Sequence, residues 1–164
     1  MKVYLAGSIE HSPDGGRDWR KLLTPFLEGV LGHSVYDPAE DEQKNLTEEE
    51  LGHFRSWKVA DPQRFRSVIR KIIDYDLAIL NSADYVICYW DSYASLGGGT
   101  QGELTFARHR RIPVYLVRAV DLERISGWVI GCADEIFSDF GELENHLIDI
   151  FASAMPRRRQ AEDV

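Results

Sequence analysis

The chain has 164 residues, 44% of them hydrophobic, which suits a single domain with one sizeable core. Its formal net charge of −8 argues against a nucleic-acid partner, because phosphate backbones are held by clustered Lys and Arg, and the basic cluster Arg157-Arg158-Arg159 sits in the tail. Cys88, in a strand pattern, and Cys132, in an apolar stretch, have neither metal spacing nor the density of a secreted disulfide scaffold, so both read as reduced core residues. The opening apolar run, residues 1–9, is too short for a signal peptide, and no run has the length of a membrane span, so a soluble cytoplasmic protein with no membrane partner is expected.

In chain order, residues 2–7 read as a first strand, ending in Gly7 and followed by a polar, turn-rich loop over residues 8–16. Residues 17–30 place Trp19, Leu22, Leu23, Phe26, Leu27 and Val30 at helical spacing, with a kink or a break expected at Pro25 and a cap at Gly32. Residues 33–36 read as a second strand. A polar, acidic segment over 39–50 ends in a helix start where Thr47 caps and Glu50 completes a capping box.

The clearest helix spans residues 64–81, with Val68, Ile69, Ile72, Ile73, Leu77 and Leu80 on its buried face. Asp76 lies on that same apolar stripe, where a carboxylate is costly unless it is paired, hydrogen-bonded or lining a cavity. It is therefore a site candidate; the plainer reading satisfies it with neighbouring backbone or with Lys71. Residues 84–90 form strand three, 100–111 a helix, 112–117 strand four, 121–131 a short helical segment, 135–137 a fifth strand and 143–154 a closing helix. This alternation implies an α/β fold, flavodoxin-like or Rossmann-like, with three layers and a central parallel sheet of about five strands. One domain over residues 1–155 and a disordered charged tail over 156–164 are expected.

The run Ser95-Leu96-Gly97-Gly98-Gly99-Thr100-Gln101-Gly102-Glu103 joins strand three to the next helix and places Glu103 in that helix's first turn. A phosphate cradle is a weak reading: the Lys-Ser/Thr ending of a P-loop and the dinucleotide spacing are both missing, and Glu103 would repel a phosphate. A carboxylate in a first turn is held ionised by free amides and the helix dipole, which suits a nucleophile; simple dipole complementarity explains it equally well.

Together, Val3-Tyr4-Leu5-Ala6-Gly7-Ser8-Ile9, Asp76 eight residues ahead of Asp84, and Ser95-Leu96-Gly97 leading to Glu103-Leu104 resemble the nucleoside 2-deoxyribosyltransferase family, whose close relatives include the 2'-deoxynucleoside 5'-phosphate N-hydrolases. The resemblance runs from strand one through strand four. It implies a nucleophilic Glu103, an orienting Tyr4 and a base-side Asp76, with the hydrolase branch's serine falling on Ser95 if the loop is two residues longer. Gly7, Ser8, Asp91, Gly97 and Trp90 are the further substrate-binding candidates, and Trp19 and Tyr93 are also available to stack on a base.

Two departures narrow the expectation. Where the phosphate-using hydrolases carry a basic residue after the Gly-Ser-Ile turn, this chain has Glu10, which speaks against a 5'-phosphate; Arg17 is the cation nearest that loop in sequence. Asp91 lies further from Glu103 than the aspartate of the transferase branch, so it is read as a binding residue.

The implied chemistry is cleavage of a 2'-deoxynucleoside N-glycosidic bond, with Glu103 trapping C1' covalently, Tyr4 positioning it, and Asp76 protonating or hydrogen-bonding the departing base. A second base or water then attacks. The expected partners are a deoxynucleoside and a free nucleobase, and the resemblance implies a homo-oligomer, dimeric or larger. The five histidines show no metal or triad spacing, so no metal and no cofactor are expected. Base exchange is the leading activity, hydrolysis of a deoxynucleoside or its monophosphate the first alternative, and a non-catalytic nucleotide-binding sensor the second.

Overall fold

In the computed structural model, which describes residues 1–41 and 43–152, five parallel strands form one sheet in the order β2-β1-β3-β4-β5. They are β1 (Lys2–Gly7), β2 (Ser34–Tyr36), β3 (Tyr85–Trp90), β4 (Val114–Arg118) and β5 (Glu135–Phe137). Tyr4 pairs with Tyr36 on one side and Val86 on the other, and Gly7 pairs with Tyr89. The expected tail at 156–164 lies outside the described residues.

The β-branched and aromatic content of β1, β3 and β4 fits strands covered on both faces, as a parallel sheet requires. Alternation divides their side chains between two cores. Tyr4, Ala6, Val86, Cys88, Trp90 and Leu116 pack with Leu80 of α3 (Pro62–Leu80), Leu104 and Ala107 of α4 (Gly99–Arg110), and Val129 and Cys132 of α5 (Gly127–Cys132). On the opposite face Val3, Leu5, Tyr85, Ile87 and Val117 meet Leu23 of α1 (Arg17–Pro25) together with Leu143 and Leu147 of α6 (Phe140–Ala152). Burying each such large apolar side chain contributes about 1.5–3 kcal/mol. Both cysteines are free and buried, as their sequence context suggests.

Local chemistry sets the helix ends. α1 stops at Pro25, which has no N–H to donate, and the chain continues as a wider π-helical turn, Phe26–Val30, closed by Gly32 at φ 67°. α2 (Glu48–Ala60) opens with the expected capping box: the Glu50 amide donates to Thr47 Oγ1 at 3.2 Å, and the Thr47 amide to Glu50 Oε2 at 3.0 Å. α2 has no buried residue and packs along α3. α3 begins two residues earlier than the apolar pattern indicates, because Asp61 accepts from the Arg64 amide at 3.0 Å and Pro62 needs no N–H partner there. Among the described residues, no helix is long and apolar enough to cross a membrane.

Candidate functional site

The order β2-β1-β3 places a switch point between β1 and β3, where loops leave adjacent strand ends toward opposite faces. Ser8 Oγ donates to both Asp91 carboxylate oxygens, at 3.0 and 2.9 Å, and ties the two loops across this crevice. Asp91 also accepts from the Tyr93 and Ala94 amides at 2.9 and 2.8 Å, which folds the chain into the 3-10 turn Ala94–Leu96. On the other loop, Asp14 accepts from the Ser12 hydroxyl and from the amides of Gly16 at 3.0 Å and Asp18 at 2.8 Å. Gly16, at φ 73°, lies so close to the Ser8 carbonyl that any Cβ would overlap it. Gly7 is confined less severely, since a Cβ there would stand 3.1 Å from both Trp19 Cζ2 and the Tyr89 carbonyl oxygen.

Beneath the crevice, Tyr4 is fully buried and its hydroxyl donates to Glu103 Oε1 at 2.6 Å. Burial and the Glu103 charge push the Tyr4 pKa well above the ordinary phenol range, so it remains a donor. α4 starts at Gly99, one residue before the sequence boundary, and Glu103 is its fifth residue rather than a first-turn residue. The expected hold by free helix amides is therefore absent; no backbone amide among the described residues bonds this carboxylate. Burial raises the Glu103 pKa, the Tyr4 hydrogen bond lowers it, the Asp76 charge raises it, and the positive charges of Arg20 and Lys44 lower it.

Asp76 is buried, as its place on the apolar stripe of α3 indicates, and its partner is Lys44, not Lys71. Lys44 Nζ stands 2.8 Å from each Asp76 oxygen, whereas Lys71 pairs with Glu50 at 2.6 Å. Burial raises the Asp76 pKa and Lys44 opposes that rise. The Tyr36 hydroxyl lies 3.3 Å from Asp76 Oδ1 and 3.2 Å from Asp41 Oδ2, so its one proton is divided between two acceptors, and Tyr75 donates to Asp41 at 2.9 Å. The rings of Tyr4 and Tyr36 lie 5.3 Å apart and link the two carboxylate groups through packing. Lys44 and Asn45 both adopt left-handed backbone, at φ 37° and 61°. Such non-glycine conformations cost on the order of 1 kcal/mol each.

Of the residues expected from sequence, the fold brings Tyr4, Glu103 and Asp76 to one sheet face and places Gly7, Ser8 and Asp91 at the adjoining crevice. Gly97 sits opposite His11, whose Cδ2 is 3.7 Å from where a Cβ would be, so the two loops approach each other there as well. Ser95 is exposed and donates to its own turn, at the Ser92 carbonyl, at 3.4 Å. Trp90 and Trp19 are 2% and 7% exposed with rings packed into the two cores, whereas Tyr93 is 37% exposed.

Three site residues escaped the sequence reading: Arg20, Lys44 and Tyr36. Arg20 is fully buried; it donates to the carbonyls of Gly16 at 2.6 Å, Leu5 at 3.2 Å and Gly7 at 3.3 Å, and pairs with Asp37 at 3.2 Å. Its signal was available, since it precedes Leu23 by three and Leu27 by seven positions and shares their stripe. Arg17, the cation singled out from sequence, instead pairs with Glu40 at 3.6 Å, and Glu10 pairs with Lys58 at 2.9 Å. Lys44 lies in a loop, where no periodicity could mark it.

No protein-family model matches the sequence, and no curated protein matches it. Among solved structures, a 2-deoxyribosyltransferase from Bacillus psychrosaccharolyticus is similar at 24% identity and a TM-score of 0.63, over 88% of this chain and 91% of that one. A CMP N-glycosidase from Clostridium botulinum is similar at 15% identity and a TM-score of 0.49, over 90% of this chain and 98% of that one. The first likeness shows a common fold, the doubly wound α/β class that the sheet order defines.

Proposed function

We propose that this protein is a nucleoside 2-deoxyribosyltransferase that exchanges the base of 2'-deoxynucleosides through a covalent glutamyl-deoxyribose intermediate. The observation that carries the reading is the 2.6 Å hydrogen bond from Tyr4 to Glu103 Oε1 beside the switch-point crevice, in a fold shared with a 2-deoxyribosyltransferase. Glu103 Oε1 is fixed by that bond, while Oε2 has no hydrogen bond among the described residues and is the oxygen that attacks C1'. The sugar lies against Gly7, Ser8, Ser95 and Gly97, with Asp91 holding the two loops in place. Asp76, on the neighbouring helix and paired with Lys44, lies on the side of the leaving base. A negatively charged wall suits an oxocarbenium-like centre, which a carboxylate stabilises before bonding to it.

The test incubates the protein with deoxyinosine or thymidine in the presence of adenine and follows both free base and new nucleoside. Deoxyadenosine formed in step with the released base supports transfer. Released base with free deoxyribose and no deoxyadenosine reassigns the site to hydrolysis. Binding without any bond cleavage contradicts the proposal and leaves a nucleoside-binding module on the same scaffold.

A further inference from the structure

We propose that Lys44 is the acid that supplies a proton to the departing base, and that Asp76 stays a carboxylate whose task is to aim the lysine. This rests on the deoxyribosyl-transfer reading above. Lys44 Nζ lies 2.8 Å from both Asp76 oxygens, and the Tyr36 hydroxyl approaches one of them at 3.3 Å. A carboxyl group facing an ammonium at both oxygens has an acceptor's surroundings and no proton of its own to give. Two of the three Lys44 N–H bonds serve Asp76; the third has no acceptor among the described residues.

Lys44 is also placed where a structural pair would not need it. Its side chain is only 11% exposed, its backbone is left-handed, and its charge is felt by Glu103. The loop that carries it is already fastened by Asp41, which accepts from Tyr36 and Tyr75, and by the Thr47 cap of α2. The ammonium contacts Asp76 of α3; Tyr36 of β2 bonds that same carboxylate, Asp41 of the lysine's own loop accepts from Tyr36 and from Tyr75 of α3, and Glu103 of α4 feels the lysine's charge.

The step balances as follows. Glu103 Oε2 forms a bond to C1' while the C1'–N bond breaks and its electron pair goes to the base, which takes a proton from Lys44 Nζ. The neutral amine is reprotonated by the incoming base, which loses its N–H as it attacks C1', or by an attacking water.

The experiment compares wild type, Lys44→Met and Lys44→Arg on deoxyinosine and on p-nitrophenyl 2-deoxyriboside, whose phenolate departs without needing a proton. With deoxyinosine, Lys44→Met is expected to lose about 100-fold or more in kcat, the usual contribution of general acid catalysis, and with the nitrophenyl substrate about tenfold or less. Lys44→Arg keeps the ion pair but holds its proton too tightly to donate, so it is expected to keep the wild-type melting temperature without recovering the deoxyinosine rate. Equal losses on both substrates, or a rate restored by Lys44→Arg, would each overturn the proposal while leaving the transfer reading intact. A wild-type protein that cleaves neither substrate overturns both.

Discussion

The Tyr4 hydroxyl, on β1, donates to Glu103 Oε1, on α4, across 2.6 Å and 99 positions of sequence. One carboxylate oxygen is thereby held while the other is left without a hydrogen bond among the described residues. A strand buried on both faces thus fixes the side chain that follows the glycine loop.

Tyr4→Phe keeps the ring in the core and removes that donor. Because the hydrogen bond lowers the Glu103 pKa, its loss moves the acidic limb of the kcat profile to higher pH, as the carboxylate must be ionised to attack. A decrease of about 10- to 100-fold in kcat is expected near neutral pH, in keeping with the roughly 1–3 kcal/mol of a buried hydrogen bond to a charged group. Steady-state kinetics across pH check both the size and the direction.

Glu103→Gln should abolish turnover and stabilise the fold. Burial raises the folded pKa of Glu103 above its ordinary 4.5, so its protonated form favours folding below that value and the advantage is lost as pH rises through the folded pKa. At neutral pH the ionised carboxylate is a cost that the amide removes, and a rise in Tm of about 2–4 °C per kcal/mol recovered is expected at this chain length. Melts at pH 7 and below pH 4 test the sign, because the difference shrinks in acid, where both states carry the proton.

Arg20→Met leaves the Asp37 carboxylate and the carbonyls of Leu5, Gly7 and Gly16 without their shared donor. Breaking a buried pair from one side costs about 3–5 kcal/mol, so a large drop in the urea midpoint is expected. Arg20→Lys recovers only part of it, because a single ammonium cannot reproduce the forked geometry.

Asp91→Ala removes the acceptor for Ser8 and for the Tyr93 and Ala94 amides together. Loss of such a cap costs about 1–2 kcal/mol. With the crevice loops untied, KM for a deoxynucleoside should rise more than kcat falls.

The layered fold was readable in the sequence because parallel strands and their helices declare themselves by period: all five strands fall within two residues of their expected ends. The same reasoning found Asp76, a charge on an apolar stripe, and applied evenly it would have found Arg20 on the stripe of Leu23 and Leu27. Two things were beyond it. The start of α4 is set by backbone geometry among three consecutive glycines, so the helix begins one residue earlier than expected, Glu103 falls just past its first turn, and its charge answers to Tyr4, Arg20 and Lys44 instead of to the helix dipole. Lys44 reaches Asp76 through a left-handed loop, and a pairing of that kind depends on tertiary closure that no local pattern records. Trp90 shows the ambiguity of an aromatic at a strand end beside a crevice, which period alone does not divide between core packing and a base platform; it is 2% exposed and packs in the core.

The most direct measurement of the central claim is the intact mass of the protein after exposure to a slowly turned-over deoxynucleoside analogue, followed by peptide mapping. A mass gain equal to one deoxyribosyl group, located on Glu103 and missing in Glu103→Gln, is the expected result. Base release by wild type with no adduct on Glu103, or an adduct that persists in Glu103→Gln, would contradict it.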